Sequence, residues 1–129
     1  MIMNYQTRRL IQPKDLNSNN KLFGGRLLEW IDEECGIFAM LELGSTRVAT
    51  KLISQIDFKA PAGQGHVIDI GIAIVRYGRT SITMRVEAFN RSTNQTILEI
   101  DQFIMVAVDE QGRPQPHGRG PAVGTGEAS

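Results

Sequence analysis

The chain has 129 residues, fourteen basic and fourteen acidic, with 41% hydrophobic and 22% charged positions, which suffices for one domain with a sizeable core and falls short of two. Balanced charge provides no field for nucleic acid or an anionic membrane surface, and no apolar run reaches the length of a membrane span. One cysteine, Cys35, excludes an intrachain disulfide and a cysteine-based zinc site; with no apolar leader at the N-terminus, the expectation is a cytosolic protein.

Residues 7–11 form a short expected strand, stopped by Pro13, which cannot donate to a ladder. Asp15, Asn17, Ser18, Asn19 and Asn20 follow; such side chains bond their own backbone, so a structured loop leads into Gly24 and Gly25. From Gly24 to Glu42 the period becomes helical. At about 100° per residue, Leu27, Leu28, Ile31, Cys35, Phe38 and Ala39 share one broad stripe, while Arg26, Glu29, Glu33 and Met40 point away. Asp32 breaks the pattern, projecting at the border of the stripe in line with Gly25 and Gly36. A carboxylate there is either desolvated or lining a cleft. Gly44 and Ser45 mark the helix stop.

Residues 47–58 alternate as one half-buried strand, closed by a turn over 61–65. Ile68, Ile70, Ile72 and Ile74 alternate strictly in a third strand, and Ile82, Met84, Val86 and Ala88 mark a fourth, turned at 90–94. A fifth, over 96–108, is apolar at nearly every position near its end, so both its faces should be covered. A turn over 109–114 ends a single domain of residues 1–114, and 115–129, rich in Gly and Pro, is expected to be a disordered tail. One strand, one long helix and four strands in meander order predict an α+β fold: a long curved antiparallel sheet with one helix against its concave face.

Several local patterns occur together and in order: the Asn-rich loop with Gly24-Gly25, Asp32 seven residues after the second glycine, Val48-Ala49-Thr50, Phe58-Lys59-Ala60-Pro61, Gly78-Arg79-Thr80-Ser81 and the run 103–109. From about Arg8 to Pro114 the chain thereby resembles the hotdog-fold acyl-CoA thioesterases of the YciA and brain acyl-CoA hydrolase type. Asn20 stands where that family usually has Gly, and Asn tolerates left-handed geometry better than most residues. The resemblance implies a hotdog fold, a homodimer with its sheets joined edge to edge, often a hexamer of such dimers, and hydrolysis of acyl-CoA with no metal and no cofactor beyond the coenzyme A of the substrate. By position it assigns Asp32 as the catalytic carboxylate, Asn17 as the Asn that works with it, and Gly25, preceded by Gly24, as the N–H that polarises the thioester carbonyl.

Thioester hydrolysis needs a base or nucleophile, and donors for the oxyanion that forms on the carbonyl. Asp32 can supply the first, because the edge of an apolar stripe favours proton acceptance. Free N–H groups at Gly24 and Gly25, at the positive end of a helix dipole, can supply the second. Seven residues of helix put Asp32 about 10 Å from Gly25, too far for both to touch one carbonyl group, whose partners lie roughly 3 Å away. Asp32 of one chain should therefore act with Asn17 and Gly25 of another.

For coenzyme A, Gly78, Arg79, Thr80 and Ser81 offer a guanidinium, two hydroxyls and backbone N–H groups suited to phosphate oxygens, although an ordinary hairpin would use the same residues. Arg47 and Lys59 are further cations. Cys35 lies mid-stripe and reads as core, and His66 and His117 have no acidic partner at a telling spacing. Three functions stay open: an acyl-CoA hydrolase; a non-catalytic acyl-CoA-binding hotdog module that acts as a sensor or partner protein and does not need Asp32; and another hotdog lyase with rearranged residues, against which the lack of an Asp-to-His motif in the helix region argues. The presence of both Asp32 and Asn17 favours the enzyme.

Overall fold

The computed structural model of the chain describes residues 2–120. Strand β1 (Asn4–Leu10) is followed by a short 3-10 turn (Pro13–Asp15), then α1 (Gly24–Leu43), β2 (Val48–Ile53), β3 (Ile56–Phe58), β4 (Val67–Tyr77), β5 (Ser81–Asn90) and β6 (Gln95–Ala107). All six strands join one antiparallel sheet in the order β1-β4-β5-β6-β2, with β3 paired to β6 further along. Only β4, β5 and β6 form a meander. The chain-order meander expected for all strands after the helix is thus corrected: a helix packed on the face of the sheet carries the chain from β1 at one edge to β2 at the other, and the loop after β3 brings it back to β4.

The strand expected over 47–58 is two strands. It breaks at Ser54, whose N–H donates to Gln102 O (2.8 Å) while Gln102 N–H donates to Ser54 Oγ (3.0 Å), so a hydroxyl replaces a ladder carbonyl and the strand bends. Nor is it half-buried: residues 49–53 are exposed, because β2 is an edge paired only to β6. The end of β6 meets expectation, with Phe103, Met105, Val106 and Ala107 all buried. Residues 114–117 double back past it, Gln115 N–H donating to Ala107 O (2.9 Å), and His117 Nε2 donates to Ser81 O (2.9 Å). The rest of the expected tail, 121–129, lies outside the described residues.

Helix α1 stops where Gly44 turns left-handed (φ 63°) and its N–H closes on Met40 O, a conformation that Gly adopts without strain. Leu27, Ile31, Cys35, Ala39 and Leu43 pack on Ile70, Ile82, Met84, Val86 and Phe103 of the concave face, and each large apolar side chain so buried contributes about 1.5–3 kcal/mol. The buried face extends further toward β1 than expected, since Trp30 and Glu34 are buried as well, while Leu28 and Phe38 are only half-buried. Arg9 on β1 is the cause. Its guanidinium lies 5.5 Å from the Trp30 ring centre and 2.7 Å from the carboxylates of Glu33 and Glu34, which covers the indole and gives the buried Glu34 a counter-charge.

Candidate active site

Asn17 and Lys21 flank a three-residue hairpin loop. Asn17 N–H donates to Lys21 O (2.7 Å), Asn20 N–H donates to Asn17 O (3.0 Å), and Leu16 pairs with Leu22. Asn20 has φ 59°, the left-handed conformation that a loop of this length needs at its third position and that Gly or Asn fills. Asn17 Oδ1 accepts from the N–H groups of Asn19 (2.8 Å) and Lys21 (3.1 Å). The loop therefore uses the acceptor half of the amide, and the Nδ2 half is left to donate. The buried Asp15 ties this loop to the helix: its carboxylate accepts from Gln12 N–H (2.8 Å) and lies 3.3 Å from Arg26 Nε, and its C=O accepts from Phe23 N–H (2.9 Å).

Phe23, the residue before the helix, supplies no side-chain cap. The N–H groups of Gly24, Gly25 and Arg26 therefore have no acceptor within the helix and present its positive end. Asn17 and Gly24 line one cleft of about 400 Å³, so the loop and the helix start meet as the sequence predicts. Asp32 is not part of that cleft. It is exposed, and its Oδ1 accepts from the Thr50 hydroxyl of β2 at 2.6 Å; Oδ2 has no hydrogen-bond partner among the described residues. The desolvated or cleft-lining carboxylate expected from the helical stripe is not found within a single chain, because at this level of the helix Asp32 faces Thr50 of the exposed edge strand β2. Thr50 is the residue missed from sequence. It stands in the Val48-Ala49-Thr50 pattern, but its 18-residue separation from Asp32 spans a helix end and a turn, and no period links the two.

Gly78, Arg79, Thr80 and Ser81 make the β4–β5 turn, closed by Gly78 N–H on Ser81 O (2.9 Å). Ser81 pairs with Val106 near the end of β6, whereas the Asn17 cleft includes Ile97 near its start, a distance of roughly 30 Å along the strand. Within one chain the two clusters are not brought together. Arg79 is exposed and pairs with no carboxylate among the described residues, while Thr80 and Ser81 are buried. Arg47 lies 3.5 Å from Glu110, and Lys59 lies 2.9 Å from Asp57 and 3.7 Å from Glu99, so both carry a counter-charge. His66 Nδ1 accepts from Gly63 N–H (3.1 Å) and lies 3.0 Å from Asn90 Nδ2, which fastens a loop. Cys35 is fully buried; burial first, then Asp32 and Glu34, pushes its thiol pKa well up and keeps it protonated. Among the described residues no three His, Cys, Asp or Glu side chains cluster to hold a metal ion, and no helix is long and apolar enough to cross a membrane.

The family model of the thioesterase superfamily matches residues 19–97, from the Asn17 loop to the start of β6. The chain is 32% identical over 115 residues to the acyl-CoA thioester hydrolase YciA of Salmonella typhimurium, covering 84% of this chain and 86% of that one. Among solved structures it is similar to a hexameric thioesterase from Yersinia pestis, with TM-score 0.80 and 29% identity across 88% of this chain and 93% of that one. It is also similar to an acyl-CoA hydrolase from Staphylococcus aureus, solved with butyryl-coenzyme A and coenzyme A, with TM-score 0.75 and 26% identity across 88% and 68% of the two chains. Mutants of the Staphylococcus protein with Asp→Ala and Asn→Ala changes have been solved too, and the two positions lie fifteen residues apart, the spacing of Asn17 and Asp32 here.

Proposed function

This chain belongs to the thioesterase superfamily, and we propose that it hydrolyses acyl-CoA to the free acid and coenzyme A at a site where Asp32 of one copy meets Asn17 and the α1 N-terminus of another. The relatives named as acyl-CoA thioester hydrolases favour this over the non-catalytic binding module. The observation that carries the shared site is the separation inside one chain: Thr50 holds Asp32 on the β2 side, about 10 Å down a continuous helix from the free N–H groups of Gly24 and Gly25. An exposed apolar band supports it. Leu52, Ile53, Phe58 and Phe23 are 45%, 39%, 53% and 54% exposed, on and beside an edge strand whose outer backbone groups are open to pair with a second copy.

In this arrangement the thioester oxygen sits at the Gly24 and Gly25 N–H groups, where negative charge develops as the carbonyl carbon is attacked. Asn17 Nδ2 donates a further hydrogen bond. The Thr50 hydroxyl holds Asp32 Oδ1, leaving Oδ2 to take the proton of the attacking water or to attack the carbonyl itself; the C–S bond then breaks and the thiolate of coenzyme A leaves, and on the second route water hydrolyses the acyl–Asp32 anhydride to the free acid and restores the carboxylate. Arg79, exposed and paired with no carboxylate among the described residues, binds a phosphate of coenzyme A. The assembly is a dimer or a multiple of one, the relative from Yersinia being hexameric, and a cytosolic setting belongs to the same reading. The test is thiol release from a panel of acyl-CoAs by wild-type and Asp32→Asn protein. Wild type turns over, and the variant loses about 10²–10⁴ in kcat with unaltered elution volume and melting temperature. Wild-type turnover by Asp32→Asn would overturn the assignment.

A further inference from the structure

A thioester whose oxygen rests on the Gly24 and Gly25 N–H groups has two arms, the acyl chain and the thiol-side arm of coenzyme A, and one of them must enter the cleft that Gly24 lines. Leu27, Ala62 and Ile97 form its floor, at 3%, 4% and 1% exposure. Asn19, Lys21 and Lys59 stand exposed at its rim. Phe58 walls the helix start: its ring lies 3.4 Å from where a Cβ on Gly24 would be. The arm of coenzyme A next to sulfur carries two amides, which an apolar floor cannot satisfy and whose burial unpaired is costly. A hydrocarbon chain loses nothing there and gains with each methylene buried.

On this ground, and resting on the hydrolase reading above, we infer that the Leu27–Ala62–Ile97 cleft receives the acyl chain and that Phe58 and Ala62 set the length it accepts. The volume of about 400 Å³ equals about thirteen units of about 30 Å³, about one for each chain carbon, so a chain of about a dozen carbons fills the cleft and an acetyl group leaves it largely empty. Phe58 lies on β3, a strand of three residues paired to β6 alone, and it is the wall least tied to the core.

The test measures kcat/KM for acetyl-, butyryl-, hexanoyl-, octanoyl- and palmitoyl-CoA with wild type, Phe58→Ala and Ala62→Leu, each checked by elution volume and thermal unfolding. Wild type gains about fourfold per added methylene, the equivalent of about 0.8 kcal/mol, until the cleft is full, and palmitoyl-CoA falls off that line. Ala62→Leu raises the floor and moves the optimum to a shorter chain. Phe58→Ala, a change outside the core but within the apolar band that meets a second copy, lowers the octanoyl-to-acetyl ratio at least tenfold in protein that keeps the wild-type elution volume. Variants that alter every acyl-CoA by one common factor place the coenzyme A arm in the cleft and overturn the inference alone. A wild type inert to every acyl-CoA overturns the hydrolase reading and the inference with it.

Discussion

Gly25→Ala separates the two reasons a glycine can stand at the start of α1, backbone freedom and room for a substrate. Gly25 is not among the positive-φ residues, so alanine suits its backbone, and replacing Gly by Ala in a helix stabilises by up to about 0.5–1 kcal/mol. Against that, the new Cβ would fall 2.8 Å from Phe23 Cε2. The Phe23 ring is 54% exposed and can swing aside at a rotamer cost of about 0.5–1.5 kcal/mol. The two effects nearly cancel, and the melting temperature should move by no more than about 5 °C. Catalysis responds on another scale. A methyl beside the N–H pushes the thioester oxygen away, and losing one oxyanion donor costs about 10²–10³ in kcat. Thiol release and thermal unfolding followed by circular dichroism read the two quantities separately. Activity within threefold of wild type would refute the close approach, and a fall in activity matched by a large loss of melting temperature would assign Gly25 to the fold instead.

Thr50→Val keeps the β-branch and removes the donor to Asp32. A hydrogen bond to a charged group is worth about 1.5–3 kcal/mol when well buried, and less here because both residues are exposed; kcat should fall about tenfold, with the melting temperature unmoved. Wild-type kcat in that variant would show that the hydroxyl does not position the carboxylate. Arg79→Ala should raise KM several-fold, most at low ionic strength, with kcat kept, since a phosphate contact remote from the carbonyl acts on ground and transition states alike. A drop in kcat at constant KM would move Arg79 to the reacting centre.

The helix with its Gly44 stop, the alternating isoleucines of β4 and the turn at Asn20 were legible because each is set by neighbours along the chain: a period, a cap, a left-handed position. What was not legible came from elsewhere in the chain. Arg9 covers Trp30 and pairs with Glu34, which widens the buried face of α1 toward β1, and no property of the helix sequence announces an arginine from β1. Ser54 splits the strand over 47–58 through Gln102, a partner on β6 that alternation cannot foresee. The site divides in the same way. Asn17 and Gly24 lie on one short segment whose turn and helix-start signals bring them to one cleft, and Gly25 and Asp32 follow at fixed helical distances. Thr50 joins Asp32 only once β2 is laid beside α1.

The shared site is tested most directly by mixing. Asp32→Asn and Asn17→Ala chains, each impaired alone but folded, are combined under conditions in which subunits exchange, with exchange followed by mass spectrometry of differently tagged chains. A mixed dimer then carries both lesions in one site and none in the other. With Asp32 and Asn17 acting across the interface, random exchange makes about a quarter of all sites intact, and thiol release recovers toward that fraction of wild type. If the two residues served one site within a chain, every site would keep a lesion, and activity in the exchanged mixture would stay at the level of the separate variants.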